Sequence, residues 1–104
     1  MNKTIKSFPK EENYALSDQM RRAAVSITSN IAEGFGRRSY KEKIQFDYLA
    51  QGSLIELKNQ LLIARDVGYL RKGDFDGLAI QANQVHRLLQ GLITKSKSYL
   101  IPKS

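Results

Sequence analysis

The sequence predicts an all-α fold, an antiparallel helical bundle with three long helices. Three observations point there. The only prolines are Pro9 and Pro102, so the stretch between them has no residue that removes a helical donor and clashes with the preceding turn. Apolar residues recur at spacings of three and four in three separate segments, the period of a helix buried on one face. The connections between those segments, residues 34–38 and 68–73, are short, and short connections make neighbouring helices antiparallel.

The first helix is expected over about 16–34. Pro9 ends whatever structure precedes it. Ser17 is placed as the N-cap, with Asp18 in the first turn, where the helix dipole favours an anion. Leu16, Met20, Ala23, Ala24, Ile27 and Ile31 share one stripe, and Gly34 is placed as the stop.

The second helix is expected over 39–67. Ser39-Tyr40-Lys41-Glu42 reads as a capping box, in which the serine caps a free amide and the glutamate reaches back. Ile44, Phe46, Leu49, Ala50, Ser53, Leu54, Leu57, Leu61, Ala64 and Val67 trace a broad apolar face, and Gly68 supplies the stop. Leu61, Leu62 and Ile63 are consecutive, so apolar residues wrap more than one face. Such a helix needs partners on two sides.

The third helix is expected over 74–95. Asp74 and Asp76 serve as capping and turn-making residues at its start. Its stripe is Phe75, Leu78, Ala79, Ala82, Val85, Leu89, Leu92 and Ile93. The basic tail over 96–104 is expected to be loose, with Tyr99, Leu100 and Ile101 available to dock.

A length of 104 residues allows one helical-bundle domain, 1–104, with a thin core. The absence of cysteine excludes a disulfide framework and a thiolate metal site. No apolar run approaches membrane-spanning length, and the N-terminus has no signal-peptide core, so a cytoplasmic protein with no membrane partner is expected. The net charge of +7 and pI near 9.8 favour an anionic partner, nucleic acid first, over a charge carried for solubility. Arg37, Arg38, Lys41 and Lys43 cluster, and Arg87, Lys95, Lys97 and Lys103 follow the last carboxylate, Asp76.

No constellation for catalysis stands out, and none for a metal, a cofactor or a small-molecule substrate. His86 is the only histidine and has no carboxylate at i±4, so it reads as a packed or rim residue. Asp74 and Asp76 lack the further oxygen ligands a calcium loop needs. Ser26, Thr28 and Ser29 have no base nearby in sequence. The turn Gly34-Phe35-Gly36-Arg37-Arg38-Ser39 joins two glycines, two arginines and a helix N-terminus. It reads equally as a phosphate site and as a tight solvated turn. Arg22, Ser26, Asn30 and Glu33 form a polar row on the first helix, which reads as its wet face or as groups that tie the following turn down.

The segment from Gln19-Met20-Arg21-Arg22-Ala23-Ala24-Val25-Ser26 through Asn30-Ile31-Ala32-Glu33-Gly34-Phe35-Gly36-Arg37 closely resembles the signature of the bacterial four helix bundle protein family. That family includes proteins encoded in intervening sequences of 23S ribosomal RNA genes. The segment is also similar to the accessory variability determinant of diversity-generating retroelements. Phe46, the block Ala50-Gln51-Gly52-Ser53-Leu54-Ile55-Glu56-Leu57 and Gly68-Tyr69-Leu70 match in the same order, and Ser7-Phe8-Pro9-Lys10-Glu11-Glu12 resembles the turn after the family's first helix.

The resemblance implies an antiparallel four-helix bundle, assembly as a homopentamer and no catalysis. It marks Ser26, Asn30, Glu33, Gly34, Gly52 and Ser53 as structural motif residues. Retroelement members bind nucleic acid and a reverse transcriptase. In the family a long helix precedes the Ser-Phe-Pro turn, whereas here only Met1 to Lys6 do. The first helix is therefore expected to be truncated or missing, leaving an apolar groove uncovered. Together these readings predict a non-enzymatic, oligomeric bundle that binds RNA or DNA with little sequence specificity. Arg21, Arg22, Arg37, Arg38, Lys41 and Lys43 are its expected phosphate contacts. The competing expectation is a protein-interaction scaffold, such as an accessory subunit of a reverse transcriptase.

Overall fold

The computed structural model describes residues 10–100. They form an all-α bundle of three helices of 27 residues each: α1, Lys10–Gly36; α2, Tyr40–Asp66; and α3, Lys72–Ser98. Each is on the order of 40 Å long. Neither the Ser-Phe-Pro turn nor the segment before it lies within the described residues.

Helix α1 begins six residues earlier than expected. Ser17 is not its N-cap but an exposed mid-helix residue. The early start has an electrostatic cause: Glu11 and Glu12 occupy the first turn, at the positive end of the helix dipole. Nor does Gly34 stop the helix, which runs on to Gly36. Gly34 is buried against α2 instead, where a Cβ would sit 3.3 Å from both the Phe46 Cβ and Asp47 Oδ1.

Helix α2 starts as the sequence predicts. Ser39 is extended (φ −91°, ψ 142°), and its Oγ accepts from the Glu42 amide at 3.0 Å. The reciprocal half differs, because Glu42 takes the Ser39 hydroxyl at 3.4 Å rather than the Ser39 amide. The end also follows the sequence. Gly68 is left-handed (φ 85°), the Tyr69 amide donates to the Ala64 carbonyl at 2.8 Å and the Gly68 amide to the Arg65 carbonyl at 3.1 Å.

Helix α3 is longer than expected at both ends. Its N-cap is Arg71, without a side-chain cap bond, so Asp74 lies in the first turn rather than at the cap, and Asp76 pairs with Lys72. The helix continues past Lys95 through Ser98, because Ser96 is buried and Lys95 and Lys97 suit the negative end of the dipole. Tyr99 does dock, stacking on Tyr40, while Leu100 stays exposed.

Helix α2 is the middle element, with α1 and α3 antiparallel to it on either side. No Cα of α1 comes within 8 Å of one in α3. That arrangement supplies the two partners that the wrapped apolar pattern of α2 demands. The core joins Ile27, Ala50, Leu54, Ala82 and Leu89, with Leu54 and Leu89 fully buried. Three residues of the expected stripes are exposed instead, Ala24 among them. Leu49 points to solvent on the far side of α2, and Leu78 is half open at the rim of a groove.

That groove runs between α1 and α3, with a volume of about 400 Å³. Leu54, Leu57 and Leu61 floor it, and Met20, Ile27 and Val85 line its walls. Among the described residues no further helix lies over it.

Candidate nucleic-acid interface

The α1–α2 turn holds the densest cluster of the expected contacts, and the structure gives its residues different tasks. Arg37 pairs with Glu33 at 2.9 Å and lies over the Phe46 ring, 4.7 Å from its centroid. Its guanidinium is thus fixed against α2 and stays partly exposed. Arg38 and Lys41 are exposed and make no ion pair among the described residues. Lys43 points inward. Its Nζ donates to the Gly34 carbonyl at 3.3 Å and the Phe35 carbonyl at 3.1 Å, the unsatisfied end of α1.

Arg21 and Arg22 do not join this cluster. Both pair with Asp18, Arg22 at 2.9 Å. They lie about sixteen residues back along α1, on the order of 24 Å from the turn. Two cations sharing one carboxylate leave a small net positive charge there, and both side chains are mostly exposed.

The motif residues form the α1–α2 seam. The hydroxyls of Ser26 and Ser53 meet at 2.8 Å, and Asn30 Nδ2 donates to the Ser26 carbonyl at 2.8 Å and to its Oγ at 3.2 Å. The polar row on α1 thus divides: Ser26 bonds across to α2, Asn30 braces Ser26 from within α1, Glu33 holds Arg37 in the turn, and Arg22 stays on the wet face with Asp18. Gly52 is different, being exposed with nothing within 4 Å of where its Cβ would stand.

Sequence reading missed three features. Asp47 is buried, beside a cavity of about 40 Å³ shared with Gly34, Lys43 and Ser96. Burial pushes its carboxyl above the ordinary aspartate range, opposed by the nearby charge of Lys43. His86 is half-buried, in keeping with a packed or rim residue, but the sequence does not show its contact with Lys58, whose Nζ lies 3.0 Å from His86 Nδ1 across the α2–α3 seam. Among the described residues, no group of three or more histidine or carboxylate side chains is placed to hold a metal.

The third feature is a set of rings beside the cations. Tyr40 and Tyr99 stack with centroids 4.5 Å apart at 18°, and Lys97 Nζ lies 5.3 Å from the Tyr48 centroid. The end built from residues 32–48 and 94–100 carries six cations against three carboxylates, one of them the buried Asp47. The opposite end, residues 11–22 and 58–76, carries six cations against six carboxylates. The charge is therefore polarised along the bundle. Such a dipolar distribution orients an approaching polyanion toward one end.

No helix among the described residues is long and apolar enough to cross a membrane. Compared with known families, residues 1–91 match the family model described as 23S rRNA-intervening sequence protein. No curated protein matches the chain.

Proposed function

This chain belongs to the 23S rRNA-intervening sequence protein family, and from that membership we propose a non-enzymatic, oligomeric, cytoplasmic bundle that binds nucleic acid with little sequence specificity. The observation that carries the reading is the polarised charge. At the basic end Arg38 and Lys41 are exposed and make no ion pair among the described residues, and Arg37 is braced beside them by Glu33 and Phe46. These three contact phosphates, with Arg21 and Arg22 as a separate flank. Phosphate contacts fix position without reading sequence, in keeping with a sequence in which no recognition-helix pattern is evident.

The test is binding of the purified protein to labelled RNA and DNA across a salt series. The logarithm of affinity falls linearly with the logarithm of salt, with a slope of about 0.7–0.9 per phosphate contact. Arg37→Ala with Arg38→Ala lowers both affinity and slope. Unchanged binding in that variant removes the turn from the interface.

A second reading, a protein-interaction scaffold, is supported by the apolar groove between α1 and α3 and by Ile55 and Ile63, exposed on the far side of α2. Assembly with further copies, a pentamer by the family resemblance, would cover such surface, and a reverse transcriptase is the outside partner the resemblance offers. Contacts of that kind survive added salt, whereas phosphate contacts do not.

A further inference from the structure

We propose that the basic end is a stacking platform for unpaired nucleotides, so that the nucleic acid bound there is single-stranded rather than duplex. The proposal rests on the nucleic-acid reading above and goes beyond it by naming the class of ligand. Cations alone do not make that distinction, since duplexes and single strands both carry phosphates. Rings do, because a base offers its face only when it is unstacked from its neighbours.

Rings and cations lie within a few residues of one another along both segments of chain that build this end. The first runs Phe35, Arg37, Arg38, Tyr40, Lys41, and the second Lys95, Lys97, Tyr99. The fold brings the two runs together through the Tyr40–Tyr99 stack. Burial in the core does not account for these rings. Phe35 is 68% exposed, Tyr99 56%, Tyr48 45% and Tyr40 39%. The stacked pair stays open to solvent, so a base can extend the stack, and Lys97 beside Tyr48 sets a cation next to a second ring. Tyr40 and Tyr48 lie eight residues apart on α2, on the order of 12 Å, which spaces two stacking sites along one helix.

The molecule carries its own control. Tyr14, near the start of α1, is 77% exposed, more than any ring of the platform, but lies at the end without an excess of cations. The cation beside it, Arg21, is paired with Asp18, so Tyr14 lacks the run of cations and the second ring that the platform has.

The experiment is fluorescence anisotropy with the full chain at one fixed ionic strength. The probes are an oligouridylate of about 20 nucleotides and RNA and DNA duplexes of the same length. The oligouridylate is expected to bind about tenfold tighter or more than either duplex. Tyr40→Ala with Tyr99→Ala, and separately Tyr48→Ala, are expected to reduce that preference about tenfold or more with the salt slope unchanged. The Phe variants at the same positions keep the preference, because they keep the ring. Tyr14→Ala is expected to bind as wild type does. Because Tyr48 is an exposed helical position where alanine is well tolerated, its variant tests the platform even if the double variant fails to fold. Duplexes bound as tightly as the oligouridylate, or alanine variants no weaker than Tyr14→Ala, overturn the platform and leave general nucleic-acid binding standing. No binding of any probe overturns both.

Discussion

The ammonium group of Lys43 lies 3.1 Å from the carbonyl oxygen of Phe35, so a side chain of α2 closes the C-terminal end of α1. Helix α1 has no basic residue in its own last turn, and its final carbonyls carry the negative end of the dipole. Lys43→Ala leaves those carbonyls without this donor and is expected to cost about 1 kcal/mol, read as a lower urea midpoint. The salt slope of RNA binding should not move, while Lys41→Ala lowers it by about one. A drop of equal size in both variants would show that Lys43 leaves the carbonyls to meet phosphate.

Two glycines of the motif are expected to answer alanine with opposite signs. In a helix, alanine is favoured over glycine by about 1 kcal/mol. At Gly34 that gain meets a Cβ only 3.3 Å from the Phe46 Cβ, which is fixed to the backbone of α2. Overpacking of this kind costs about 1–3 kcal/mol, so Gly34→Ala should lower the urea midpoint. At Gly52 nothing lies within 4 Å, and Gly52→Ala should raise it by about 1 kcal/mol. A loss at Gly52 instead would mean that another copy of the chain packs against that position.

What the sequence reveals here follows how local each cause is. Ser39 and Gly68 act within a few residues of themselves, and both ends of α2 were readable from them. Gly34 was legible as an unusual residue, but its cause is the contact with Phe46 and Asp47, twelve and thirteen positions later, so it read as a stop. The early start of α1 was missed because residues 10–15 carry too few apolar side chains to show a period, although Glu11 and Glu12 signalled a first turn. The basic cluster at 37–43 was visible as charge. Its division into free, braced and inward-facing cations was not, since that depends on Phe46 and on the end of α1. The Tyr40–Tyr99 pair joins the first residue of one helix to the residue after another, and no spacing rule connects them.

Ser26 and Ser53 form a hydroxyl pair across the α1–α2 seam, and Asn30 adds a second donor to Ser26. A double-mutant cycle of Ser26→Ala and Ser53→Ala should give a coupling of about 1 kcal/mol. Each single variant leaves the other hydroxyl without this partner, although Ser26 keeps Asn30, so the two single costs should together exceed that of the double. Additive effects in urea unfolding would remove the hydroxyl pair from the forces that hold the seam.

Asp47 is only 5% exposed, and burial raises its carboxyl above the ordinary aspartate value, with Lys43 opposing. The folded chain therefore holds this proton to higher pH than the unfolded chain does. Stability falls as pH rises from the ordinary aspartate range through the raised folded value, and the cost of the ionised carboxylate is complete above it. Asp47→Asn keeps the shape and removes the ionisation. The variant should be more stable than wild type at pH 7, and its advantage should shrink on acidification and vanish below the ordinary aspartate range. Urea midpoints of both proteins from pH 7 downward measure this. A variant less stable than wild type at pH 7 would mean that attraction to Lys43 outweighs the burial of the carboxylate. The pair Lys43–Asp47, rather than Lys43 with the α1 carbonyls, would then be what fixes the lysine inside the turn.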